Sequence, residues 1–288
     1  MKILDKHDLN ISRASDYYSP LPILSKLEKN MQRWFKPSKL VGIQYDIEAM
    51  KNLLANLVSK YYVEYNKIPN YYENRKKGYG PGYTAFDAMI LYFLIRDIKP
   101  KRYIEIGSGI STYYCSLAAE QNAKESKLLR ITCIEPYPYE KLYNIQQIEI
   151  IKKEVQDVEV SAFEKLDAGD VLFIDSSHVV KIDGDVPYLY LEVIPRLKEG
   201  VIIHIHDIPF PYNVPFPPQL WVVGAKWPIF WNEAMFLQAF LYNNKAYKIL
   251  LSTPLLRFYD EHFLCTNIPD YEPVSQVPNT FSSIWIKK

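Results

Sequence analysis

The sequence predicts a doubly wound, mostly parallel α/β sheet with an N-terminal helical appendage and a long lid loop. Three observations carry this. Five short apolar runs alternate with helix-length segments between residues 102 and 206. Those runs are continuous rather than alternating, as strands covered on both faces of a parallel sheet are. A chain of 288 residues, 48% hydrophobic and 23% charged, can bury one large domain with an appendage.

Residues 1–80 read as the appendage and 81–288 as the main domain. Pro20 starts a short helix running to residue 35, in a first turn where its missing N–H costs little. A longer helix covers about 45–65, with Ile47, Met50, Leu54, Leu57, Val58, Tyr61 and Tyr62 on one apolar face. Residues 66–82 hold Pro69, Asn70, Gly78, Gly80, Pro81 and Gly82 and read as loop. Thr84 and Asp87 form a capping signal for a buried helix over 85–98, which Pro100 stops.

The alternation follows. Strands are expected at 102–106, 130–135, 148–152, 170–175 and 200–206. Helical segments are expected at 110–121, 139–144, 161–166, 186–197 and 232–243. Segments 247–252 and 281–287 are two further strands, able to pair antiparallel at one edge.

In such sheets ligands bind at the carboxyl ends of the strands, where the strand order reverses. Gly107 and Gly109 sit where the first strand turns into its helix, and a residue without a β-carbon lets the backbone turn sharply and approach a ligand. Ser108, Ser111 and Thr112 add hydroxyls, and no Lys follows, so this is not a phosphate-gripping loop. Glu105 before the turn suits a cationic ligand better than a pyrophosphate. Glu135 ends the second strand, where an acidic side chain takes both ribose hydroxyls. Together these point to a nucleoside. The third glycine of GxGxxG is missing, which disfavours a nicotinamide dinucleotide.

The segments YIEIGSGIST, ITCIEP, DVLFIDSSH and LKEGVIIHIHD resemble the class I S-adenosylmethionine-dependent methyltransferases, over residues 78–251. The likeness is closest to small-molecule and sugar O-methyltransferase-like members whose fourth and fifth strands end in FIDxxH and HD. The resemblance implies a Rossmann-like domain that binds S-adenosylmethionine. Glu105, Gly107, Ser108, Gly109 and Ser111 would lie along its methionine end, Glu135 on the ribose, Gln156 near adenine and Asp175 beside the sulfonium.

Methylating a hydroxyl requires an in-line nucleophile and removal of its proton. Two compatible routes fit the strand ends. Asp175, His206 and Asp207 can hold Mg2+ or another divalent cation that acidifies the acceptor oxygen. Alternatively His178, with a natural pKa near neutrality, acts as general base. Relatives of the metal-dependent type carry two adjacent carboxylates after strand five, where this chain has His206-Asp207. An Asp at a strand end also simply caps a helix, and His204 reads as a core histidine. Glu233 either contacts substrate or favours the N-terminus of its helix, and the second reading is preferred. A metal-dependent hydroxylase-like relative, or a non-catalytic cofactor-binding or assembly protein, are the alternative readings.

Residues 208–231 are too long and proline-rich for an ordinary connection and read as a lid. Phe210, Tyr212, Phe216, Trp221, Trp227 and Trp231 are its candidate pocket walls, suited to a sugar ring, an aryl group or another small acceptor. They also suit a homodimer contact. The formal charge of +1 sets up no field for nucleic acid or an anionic membrane. The apolar run 88–95 is far short of the roughly 20 residues that span a bilayer. The N-terminus lacks a signal-peptide pattern. Cys115, Cys133 and Cys265 lack metal-ligand spacing and read as buried thiols in a reducing compartment. A cytoplasmic protein is expected.

Overall fold

The strands are β1 (Arg102–Ile106), β2 (Arg130–Ile134), β3 (Ile148–Ile151), β4 (Val171–Ile174), β5 (Ile202–Ile205), β6 (Lys248–Ser252) and β7 (Ile284–Lys287). In this computed structural model, which describes residues 15–269, 271–273 and 280–288, they form one sheet in the order β3-β2-β1-β4-β5-β7-β6. Residues 1–14, part of the segment read for a leader, lie outside the described residues. The first five strands are parallel, and β7 runs antiparallel to both β5 and β6. This is the doubly wound, mostly parallel α/β architecture that the alternation implied. The strand order reverses at β1, which has β2 on one side and β4 on the other. Strand β5 adjoins β4 on the side away from β1.

The long helices are α1 (Ile47–Tyr65), α2 (Ala85–Ile98), α3 (Ile110–Lys124), α4 (Glu233–Leu241) and α5 (Thr253–Asn267). Asp46 caps α1 by accepting from the Ala49 N–H at 2.9 Å, and the helix buries Met50, Leu54 and Leu57. Thr84 caps α2 by accepting from the Asp87 N–H at 3.0 Å, and the helix ends at Lys99 in the left-handed region, just before Pro100. Helix α2 is buried over most of its length because α1 and α3 both pack on it.

Helix α1 is tied to α2 through Arg96. Its guanidinium donates to Glu64 at 2.7 Å, to Glu125 at 2.6 Å and to Asn122. Both carboxylates are partly exposed while the Arg side chain is buried, so the pairing offsets the desolvation of the cation. At the centre of the sheet, Phe173, His204 and Trp285 stand in register on β4, β5 and β7 with their rings stacked at 4.2 and 3.9 Å. His204 also meets the Ser283 hydroxyl at 3.0 Å, and burial holds its pKa well below the ordinary value. It is the neutral core histidine expected.

Four local differences have physical reasons. The helix expected over 20–35 is two short turns, Leu24–Lys29 and Met31–Trp34, separated by Asn30. The loop 66–82 contains a turn of helix, Tyr71–Arg75, capped by the Asn70 side chain. Over 186–197 the chain is helical, but its last part tightens at Ile194–Arg196 around Pro195, which has no N–H to donate. Helix α5 has no counterpart among the expected elements. Its Pro254 sits in the first turn, where proline is tolerated, and its backbone breaks at Asp260 (φ −154°, ψ 67°). Cys115 and Cys133 are buried thiols as expected, whereas Cys265 is exposed on α5. No helix among the described residues is long and apolar enough to cross a membrane.

Candidate active site

The turn after β1 needs glycine at one position above all. Gly107 has φ +78°, and a β-carbon there would lie 2.0 Å from the carbonyl oxygen of Asp175. That close approach lets the Asp175 N–H donate to the Ile106 carbonyl at 2.9 Å, drawing the ends of β1 and β4 together. Glu105 lies beneath the turn rather than in it. It is fully buried and accepts from the hydroxyls of Ser111 at 2.5 Å and Thr112 at 2.7 Å. Thr112 in turn accepts from the Gly109 N–H at 3.1 Å. Glu105 and Ser111 are therefore internal anchors of the loop, and neither is among the residues lining the cleft beside it. Burial pushes the Glu105 carboxyl up to about 8, against the lowering effect of the two hydroxyls.

Above the turn a cleft of about 290 Å³ opens between the ends of β1, β2 and β4. Gly107, Glu135, Gln156 and Asp175, four of the residues expected to bind the cofactor, line it together. Each Glu135 oxygen accepts one backbone N–H, from Ser108 at 3.1 Å and Tyr137 at 2.8 Å. Lone pairs remain for a diol. Gln156 Oε1 and the hydroxyls of Ser108 and Ser176 are buried without a partner among the described residues. Buried polar atoms are ordinarily paired, so the oxygens of Gln156 and Ser176, which line the cleft, suit a polar ligand, whereas Ser108 is not among its lining residues. A nucleoside with an amino-acid tail fits this donor set.

Past the cleft, the ends of β4 and β5 carry a cluster of imidazoles and carboxylates. His178 Nε2 lies 3.3 Å from Asp175 Oδ1 and 3.4 Å from Asp207 Oδ2, and its Nδ1 lies 2.8 Å from Glu233 Oε2. One ligand atom each from Asp175, His178 and Asp207 falls within 4.8 Å of the others, a spacing that could hold a metal ion. The expected triad had His206 where the structure has His178. His206 is buried beneath, its Nδ1 3.2 Å from Asp175 and its Nε2 3.2 Å from Asp87. Burial disfavours both imidazolium ions, yet the surrounding carboxylates outweigh it. His178 is pushed up to about 10 by its hydrogen bonds to Asp175 and Glu233 and by the charge of Asp207. His206 is held well above its ordinary value by Asp207 and Asp175. Asp175, despite burial, is held well below the carboxylate range by the two rings. Three carboxylates face the two nitrogens of His178, a setting that favours its charged form.

On the other side of the cluster lies a cavity of about 830 Å³. His206 and Asp207 form part of its wall, with Tyr83, Thr84, Phe281 and Ser282. The appendage contributes Tyr62, Tyr65, Tyr71 and Tyr72, and the lid contributes Phe216, Trp221 and Trp231. Of the other lid aromatics, Phe210 is fully buried, Trp227 is 80% exposed, and Tyr212 stacks on Phe35 at 4.8 Å. None of those three is among the lining residues.

Residues 104–208 match the family Methyltransf_24, described as a methyltransferase domain. That stretch, under half of the chain, is similar to a methyltransferase domain. The match begins in β1 and ends one residue past Asp207, so the matched segment includes the cleft and most of the cluster but neither residues 209–231 nor Glu233. An uncharacterized protein of Archaeoglobus fulgidus is 28% identical over 180 residues, 57% of this chain and 77% of its own length. Among solved structures, the O-methyltransferase TomG of Streptomyces achromogenes, in complex with S-adenosylmethionine, is 13% identical with a TM-score of 0.44, over 85% of this chain and 91% of its own. A Podospora anserina methyltransferase bound to S-adenosylhomocysteine is 18% identical with a TM-score of 0.42, over 93% of this chain and 98% of its own.

Two carboxylates of the cluster, Asp87 and Glu233, read mainly as helix-terminus residues in the sequence. Asp87 reads as a helix-capping residue, and it does accept from Thr84 at 2.7 Å, but it also meets His206. Glu233 reads as an acidic residue in a first helical turn, yet it is 1% exposed and bonded to His178 and Tyr190. Only their burial marks them, since carboxylates are seldom fully buried unless paired, and burial of these two is not visible in sequence.

Proposed function

We propose that the chain transfers the methyl group of S-adenosylmethionine to a hydroxyl of a sugar, glycan or other small ring-bearing acceptor, assisted by Mg2+ or a similar divalent cation. The observation that carries this reading is that two cavities meet at one cluster. Asp175 lines the cleft, Asp207 lines the aromatic cavity, and both contact His178. A donor in the cleft places its ribose on Glu135, its adenine near Gln156 and its sulfonium beside Asp175. An acceptor among the tyrosines and tryptophans presents its hydroxyl to Asp207.

In the reaction the acceptor oxygen forms a bond to the methyl carbon as the carbon–sulfur bond breaks. The sulfonium becomes a neutral thioether, and the hydroxyl proton leaves through Asp207 to solvent. A divalent ion held by Asp175, His178 and Asp207 would lower the pKa of the acceptor hydroxyl. Apart from that, the chain's residues act by position: the cluster aligns the two reactants and the aromatic walls stack on a ring and exclude water.

The test is production of S-adenosylhomocysteine by purified protein supplied with S-adenosylmethionine, Mg2+ and a panel of glycosides and phenols. Turnover that stops with EDTA supports the whole reading, and turnover unaffected by EDTA removes the metal from it. Absence of any thermal stabilisation by S-adenosylmethionine or S-adenosylhomocysteine would remove methyl transfer itself.

A further inference from the structure

The segment that ends the lid holds the His178 loop at four points. The N–H groups of Asn232 and Glu233 both donate to the His178 carbonyl, at 3.0 and 3.1 Å. The Asn232 side chain accepts from the Val180 N–H at 2.6 Å, and Glu233 Oε2 meets His178 Nδ1 at 2.8 Å. His178 itself has φ +60°, a backbone state that a non-glycine residue keeps only where its surroundings impose it. Trp231, a wall of the aromatic cavity, packs its ring 4.6 Å from the His178 ring.

We infer that Glu233 is a positioning residue, one that orients the His178 imidazole and so sets what Asp175 and Asp207 can bind between them. A histidine that gives one ring N–H to a carboxylate has its orientation fixed, with the other nitrogen directed to its target. Here Nδ1 is committed to Glu233, so Nε2 is aimed at the two aspartates. Glu233 is aimed in turn by Tyr190, whose hydroxyl donates to Oε1 at 3.0 Å. Both Glu233 and Tyr190 are buried and absent from both cavity linings, so they act through His178 rather than on a reactant. Because Glu233 follows directly on the lid, the acceptor wall and the reacting cluster share one mechanical anchor. The inference rests on the proposed function for its metal arm only.

The experiment compares wild type with Glu233→Gln and Glu233→Ala by two readouts. One is the side-chain 15N and N–H resonances of His178, recorded without metal. The other is Mn2+ affinity by calorimetry. Expected are loss of the hydrogen-bonded Nδ1–H signal in Glu233→Ala, an upfield shift of it in Glu233→Gln, and Mn2+ affinity about 10- to 100-fold weaker in the Ala variant. The Gln variant, which keeps an acceptor, falls between. Should Glu233→Ala not fold, Glu233→Gln carries the test by the same shift. His178 resonances unchanged in a folded variant overturn the inference. Failure of wild type to bind Mn2+ while the resonances still move overturns only the metal reading.

Discussion

The proposed donor cleft is lined entirely by residues between Ile106 and Asp185, mostly where β1, β2 and β4 give way to loops, whereas the proposed acceptor cavity draws on segments from Tyr62 to Ser282. The first is small, polar and formed in part by backbone. The second is nearly three times as large and walled by aromatics from the appendage, the lid and the C-terminal segment. A ligand that never varies can be met by fixed strand ends, because the sheet places them whatever the loops do. An acceptor is met by the parts of the chain freest to vary, which are connections and appendages. The two sites therefore depend differently on substitution, and that difference can be probed.

The largest effect is expected at the turn itself. Gly107→Ala forces a β-carbon to within 2.0 Å of the Asp175 carbonyl at a left-handed φ. It should abolish cofactor binding and lower stability by about 2–4 kcal/mol, read by calorimetry and thermal unfolding. Retained binding would mean that the turn is looser than described. Next, Asp207→Asn keeps the shape of the cluster and removes a charge on the acceptor side. Turnover should fall by about 10²- to 10⁴-fold with cofactor affinity little changed, in a single-turnover assay with saturating donor. An equal loss of cofactor affinity would place Asp207 in the donor site instead.

Glu105 tests the pH behaviour of the cleft's foundation. Its folded-state pKa of about 8 lies above the ordinary carboxylate value, so the fold favours the protonated form. Below the ordinary range both folded and unfolded chains hold the proton and nothing is lost. As pH rises through that range towards the folded value, the unfolded chain releases the proton first and stability falls. Glu105→Gln removes this dependence. Relative to wild type it should gain about 2–3 kcal/mol between about pH 6 and about pH 9, measured by urea unfolding at each pH. A constant difference would show that Glu105 does not titrate in that window. The smallest effect is expected at the acceptor wall: Trp231→Ala should raise the acceptor KM by roughly 10-fold, about 1.4 kcal/mol, and leave donor affinity unchanged.

The same contrast explains what could be read from sequence. The five parallel strands were legible from their continuous apolar runs, and β6 and β7 were expected as two further strands at one edge. Four residues of the cleft, Gly107, Glu135, Gln156 and Asp175, follow from position relative to those strands. The acceptor cavity was only half legible. Phe216, Trp221 and Trp231 stood out within a proline-rich segment, but Tyr62, Tyr65 and Tyr71 read as a helix face and a loop. Their convergence depends on how α1 packs against α2, which Arg96 fixes through residues far apart in the chain. His206 and His178 exchanged places in the cluster because strand alternation gives the direction of a side chain but not the path of the next loop. The positive φ of His178 turns its ring back over the strand ends, and no residue type announces that in advance.

Binding of S-adenosylhomocysteine to wild type, Glu135→Ala and Trp231→Ala, measured by calorimetry, tests most directly whether donor and acceptor occupy these two separate cavities. The account predicts binding to wild type, at least 10-fold weaker binding to Glu135→Ala, and unchanged affinity in Trp231→Ala. Absence of heat with wild type, or weakening by Trp231→Ala with Glu135→Ala unaffected, would contradict it.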